Sequence, residues 1–195
     1  MTRARLPLWL RHAALLWLLV VACSREQAAH SDGNQRGGSA APGVVIGDDL
    51  MVALAQAKNH HHKANVYIAD GNTTEAIASV RQILALRFPA NAPEADDVRH
   101  DARALLAKLL ASQGKLEDAM AVIAEGLASA TRESFFVANM YTVKGELHQA
   151  RAELLSKDVA RKTDADAERR AAIMAFDRSI EINTKLQQQL ESQHR

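Results

Sequence analysis

The chain is expected to be all-α, with three antiparallel helix pairs following one another from residue 48 onward and a non-helical stretch ahead of them. Three observations carry this expectation. From Asp48 onward Ala, Leu, Glu, Lys, Arg and Gln dominate, no proline follows Pro93, and β-branched runs are absent, a composition that favours helix over strand. Apolar residues recur at steps of three and four, which places them along one side of a helix. Two stretches of the chain also superimpose on one another in residue type around a turn glycine.

Residues 1–22 form a leader. Arg3, Arg5 and Arg11 precede an apolar run, Ala13 to Ala22, and the run ends in Val20-Val21-Ala22-Cys23, which contains the only cysteine. Basic start, an apolar core of roughly 7–15 residues and small residues at the end are the parts of a secretory signal, and the run falls short of the roughly 20 apolar residues that span a bilayer. On the residues alone, an ordinary cleaved signal with an incidental thiol remains the alternative. The ending resembles the lipobox of bacterial lipoproteins. That resemblance implies a diacylglycerol on Cys23, cleavage ahead of it and acylation of the new amino terminus, which together anchor firmly where a single chain does not. Ser24 stands where an aspartate would favour inner-membrane retention, so the resemblance implies the periplasmic face of the outer membrane.

Loss of the three leader arginines takes the formal net charge from +1 to −2. A near-neutral mixture of this kind argues against nucleic acid, which calls for clustered Lys and Arg. A single cysteine excludes an intramolecular disulfide, so packing alone must stabilise the fold.

Residues 23–47 read as the lipidated cysteine and a flexible linker. Five of the nine glycines lie here, at 33, 37, 38, 43 and 47, with almost nothing large and apolar before Val44, too little to offset the entropy of ordering. About 20 such residues reach roughly 25 Å. Residues 48–195 then form the helical domain. Asp48 is expected to cap a first helix ending near Asp70, and Asn72 with Glu75 to open a second, ending near Arg87, as a capping box. The loop Phe88 to Pro93 precedes a third helix from about Glu94 to Gln113, where Gly114 breaks it. A fourth covers Leu116 to Ala128. The fifth starts near Arg132 with the stripe Phe136, Met140, Val143, Leu147, Ala150, Leu154, and the sixth opens at Thr163 and Asp166 with Ile173, Phe176, Ile180, Leu186 and Leu190 as its apolar face. Its polar end suits a solvated final helix.

Tyr67 to Ile77, then Val80 and Ile83-Leu84, aligns with Leu110 to Met120, then Ile123 and Gly126-Leu127. This pattern resembles the tetratricopeptide repeat, in which a Leu with a small neighbour, an aromatic, a turn glycine and a small alanine interlock paired helices. In the second copy Leu106-Ala107, Leu110, Gly114, Ala119 and Ile123 take these positions; in the third, Lys144-Gly145, Ala172, Phe176 and Ser179 do. His60 and Lys63 stand where the first copy needs large apolar residues. The turn glycines lie 43 residues apart and Ala119 to Ala172 spans 53, against a family period of about 34, so loops or helices are extended. The resemblance implies a short right-handed solenoid of about three pairs, near the minimum for stability.

It also implies a function, that of binding a polypeptide in the groove formed by the first helices of successive pairs. The outward positions are then Lys58, His61 and Asn65, Asp101, Lys108 and Ser112, and Thr142, Glu146 and Gln149. A membrane-anchored, periplasm-facing scaffold or adaptor of an envelope complex follows, similar in plan to repeat lipoproteins that pilot secretins or serve barrel insertion. The alternative is a small-ligand or metal-binding lipoprotein using His60-His61-His62. Adjacent helical residues diverge by about 100°, whereas a shared ion needs spacing of three or four, and His61 continues the stripe Leu50, Leu54, Ala57, Ala64, Ile68, so no metal site is assigned. No His-Glu-x-x-His, Gly-x-Ser-x-Gly or phosphate loop occurs, so neither enzyme activity nor a cofactor is expected.

Overall fold

The structure is a computed structural model, and it describes residues 47–193. The expected signal peptide, Cys23 and the linker up to residue 46 lie outside the described residues, as do residues 194–195. All regular structure among the described residues is helical: α1 Asp48–Ala69, α2 Thr73–Ala85, α3 Pro93–Ser112, α4 Leu116–Ala128, α5 Phe135–Leu155 and α6 Lys162–Gln193, with a 3-10 turn, Val159–Arg161, leading into α6. The described residues are all-α, with six α-helices.

Local chemistry explains the ends. Asp48 and Asp49 occupy the first turn of α1, where carboxylates meet the positive end of the helix dipole. Gly47, not Asp48, is the N-cap residue. Pro93 starts α3, a position that needs no N–H and suits its fixed φ. α5 begins at Phe135 rather than near Arg132, because the Ser134 hydroxyl accepts the Val137 N–H at 3.3 Å and sets the N-terminus there.

The α1–α2 and α3–α4 turns are built alike. Gly71 and Gly114 have φ of +75° and +76°, a left-handed conformation open to glycine. At the first turn Asn72 N–H reaches Tyr67 O (2.8 Å) and Gly71 N–H reaches Ile68 O (3.1 Å); at the second Lys115 N–H reaches Leu110 O (3.0 Å) and Gly114 N–H reaches Ala111 O (2.9 Å). Both are Schellman motifs. The Asn72 side chain makes no capping bond, so the expected capping box does not form. Its backbone is committed to closing α1.

Helices pair in chain order, α1 with α2, α3 with α4 and α5 with α6, and α3 touches α1, α2, α4 and α5. Alanines 64, 76, 107, 119 and 138 are fully buried, and small residues at the crossings let helix axes approach closely. Ile83, Ile123, Met140, Ile182, Val80 and Val143 are the largest buried side chains between them. Gly126 stands where the matching position of α2 carries Ile83, and the reason is visible: a Cβ there would lie 2.7 Å from Met140 Sδ. A methionine from the next pair fills the space.

The fifth-helix stripe holds at Met140, Val143 and Leu147, whereas Phe136 and Leu154 are exposed and burial passes to Ala152. α6 departs further. Ala165, Ala172, Ala175, Ser179 and Ile182 are its buried residues, while Ile173 and Ile180 are more than half exposed. Its small residues face α5, with the Phe176 ring against Gly145 and the Ser179 and Thr142 hydroxyls 2.9 Å apart. α6 starts from the 3-10 turn, which Asp158 caps through the Ala160 N–H. Thr163 and Asp166 form no box there, and Asp166 instead pairs with Lys162 and Arg169.

Candidate functional site

The first helices of the three pairs, α1, α3 and α5, carry the nine outward positions. Steps of three, four and seven residues bring the three on each helix to one side of it. His61 Nε2 lies 3.7 Å from Asp101 Oδ2, and the Asn65 amide is 3.3 Å from His61 Nδ1. Lys108 Nζ lies 3.2 Å from Glu146 Oε2. These contacts tie α1 to α3 and α3 to α5. Each is substantially exposed and contributes about 0–1 kcal/mol, so they fix side-chain positions more than stability.

The remaining positions divide. Lys58 is exposed beside the His61–Asp101 tie. Ser112 is exposed, but its hydroxyl donates to Leu109 O of its own helix at 2.7 Å. Thr142 is half-buried and its hydroxyl meets Ser179 of α6, which directs it into the α5–α6 contact. Gln149 is exposed and lines a separate hollow between α5 and α6, with Ala152, Ile173 and Phe176. Of the nine, Lys58, His61, Asn65 and Asp101 therefore make one polar patch where α1 meets α3, and Lys108 with Glu146 makes a second where α3 meets α5, together a discontinuous strip.

Beneath one end of that strip lies a cleft of about 270 Å³ between α1, α2, α3 and the start of α5. Ala57, Ile83 and Ala102 form its buried floor, Leu54, Val98 and Phe136 its walls, and Lys58, His61, His62 and Asp101 its rim. Sequence reasoning missed the apolar part. Phe136 opens the α5 stripe, but the Ser134 cap puts it in the first turn, where it is 39% exposed. Ile83 and Val98 sit on helices where periodicity indicates only burial.

Two other features are electrostatic. His100 is buried with Nδ1 unpartnered, and burial, followed by the Arg103 charge, holds its pKa below the ordinary value, against the opposing pull of Asp96 and Asp97. Glu133 receives Lys185 and Arg178 of α6; the hydrogen bond from Lys185 chiefly lowers its pKa. Among the described residues no group of three or more His, Cys, Asp or Glu is placed to hold a metal ion. No described helix is long and apolar enough to cross a membrane. Comparison with family models, characterised proteins and solved structures finds no match.

Proposed function

We propose that the protein is a lipid-anchored adaptor of the bacterial envelope, built as a short tetratricopeptide-like solenoid that binds a polypeptide along α1, α3 and α5. One observation carries the reading: the polar strip from Lys58 to Glu146 runs across three successive first helices and borders an apolar cleft. Mixed polarity beside an apolar recess suits a peptide held by hydrogen bonds, charge and a few buried contacts. The twin Schellman turns and the buried alanines at matched positions 76 and 119 support the repeat assignment. The long spacings fall where the family resemblance leaves room, at the loop after α2, at residues 156–161 and in the length of α6.

Membrane attachment rests on the leader and Cys23, with the outer membrane favoured by Ser24. Mass spectrometry of the mature amino-terminal peptide is expected to find acylated Cys23; a free thiol in an uncleaved chain would end that part of the proposal. For binding, a photo-crosslinking residue at position 108 is expected to capture one dominant protein in cells, with little captured from position 125 on α4. Equal backgrounds from both positions would refute the groove. A small apolar ligand is the second reading, favoured by the same cleft, and loss of retained ligand on changing His61 and His62 would support it.

A further inference from the structure

We propose that the cleft between α1, α3 and Phe136 is the anchor pocket of the groove, taking one aliphatic or aromatic side chain of the bound polypeptide with a carboxylate residue next to it. The inference rests on the groove reading and specifies its ligand. Size and lining come first. At about 270 Å³ the cleft lies just below the roughly 300–1,000 Å³ of sites that enclose a drug-sized molecule or cofactor, and its buried floor of Ala57, Ile83 and Ala102 offers no polar side chain. It suits a single apolar side chain entering from an exposed backbone.

The rim sets the flanking residue. Asp101 is the rim's only acid, and His61 already stands against it. Lys58 and His62 have no carboxylate partner among the described residues, and both are exposed. A ligand crossing this rim meets the Lys58 ammonium, which makes no ion pair among the described residues although Asp101 lies on the same rim, and this favours an acidic residue next to the anchor over a basic one. Further along the groove Lys108 and Glu146 satisfy each other, so charge selectivity is concentrated at the Lys58 end.

The test is selection of a displayed random dodecapeptide library against the full mature chain in detergent micelles, followed by titration of the enriched peptides. The expected result is enrichment of Leu, Ile, Phe or Met beside Asp or Glu. Replacing that apolar residue by Ala, or Phe136→Ala in the protein, should weaken binding at least tenfold. Lys58→Glu should weaken acidic-flanked peptides and strengthen versions with Lys at the flank, a reversal that loss of folding cannot produce. Peptides without this pattern that bind Phe136→Ala and Lys58→Glu unchanged, yet lose binding to Lys108→Glu, would overturn the pocket and leave the groove reading standing. Failure to enrich any peptide, or binding unaffected by all three changes, would overturn both.

Discussion

His100 is a buried base between charges of both signs, and its consequence is a pH dependence of stability. Its folded pKa lies below the ordinary 6.5, so the folded chain keeps it neutral while the unfolded chain protonates it as the pH falls through that value. The contribution to stability is therefore complete above about pH 6.5 and is lost progressively below it. Thermal unfolding of the wild type and His100→Gln from pH 7.5 to 5 is expected to show a shallower loss in the variant. Parallel curves would contradict the assignment, and an offset between them would not matter. Two glycines are equally specific. Gly114→Ala forces an alanine to φ near +76°, at a cost of about 1–2 kcal/mol, whereas Gly126→Ala drives a methyl against the Met140 and Arg103 side chains, an overpacking cost of about 1–3 kcal/mol of which about 1 kcal/mol is offset by the better helix propensity of alanine. Denaturant melts of the two variants check both. Gly114 was legible in the sequence because a turn glycine ends an apolar helical pattern. The reason for Gly126 was not, because it lies in a side chain of the next pair, 14 residues away in sequence.

At the scale of elements, the helices were readable from composition and period, and α4 matches its expected bounds. The errors have physical causes. Asn72 looked like a capping residue, yet the Schellman turn uses its backbone. The Ile173 and Ile180 stripe of α6 followed the largest apolar residues, while close packing on Gly145 and Ala152 selects the alanine face on which Ala172, Ala175 and Ser179 lie. Lys63 stands where the second copy has buried Leu106, and it is exposed over the Tyr67 ring at 5.8 Å. α1 has no earlier described helix to cover that position, whereas α3 has neighbours on both sides. The start of α5 depends on one side chain. Ser134→Ala is expected to cost about 1 kcal/mol and to raise amide exchange at Val137 before the rest of the helix; unchanged exchange there would show that the cap is dispensable.

At the scale of the molecule, each pair buries its apolar side against the next, and Ile182 of α6 joins the same core as Met140 and Ile123. Deletion of residues 156–195 removes the partner of α5 and leaves two pairs, below the roughly three repeats such stacks need. The truncated chain is expected to lose a cooperative unfolding transition in far-UV circular dichroism, and a sharp transition at the wild-type temperature would contradict a shared core. Of the outward positions, His61 meets Asp101 and Lys108 meets Glu146 across neighbouring first helices, an arrangement legible to the extent that steps along helices can be read from sequence. Thr142 turned towards α6, and the apolar cleft was hidden, since both depend on how separate helices meet.

A groove adaptor binds its polypeptide across the first helices and not elsewhere. The most direct measurement is an in-cell photo-crosslinking scan from Lys58, Lys108 and Glu146 on α1, α3 and α5, set against Arg81, Glu125 and Glu181 on α2, α4 and α6, all exposed. Binding in the groove gives one shared protein adduct from the first three positions and none of it from the second three. The same adduct from both sets, or an adduct confined to α2, α4 and α6, would contradict it.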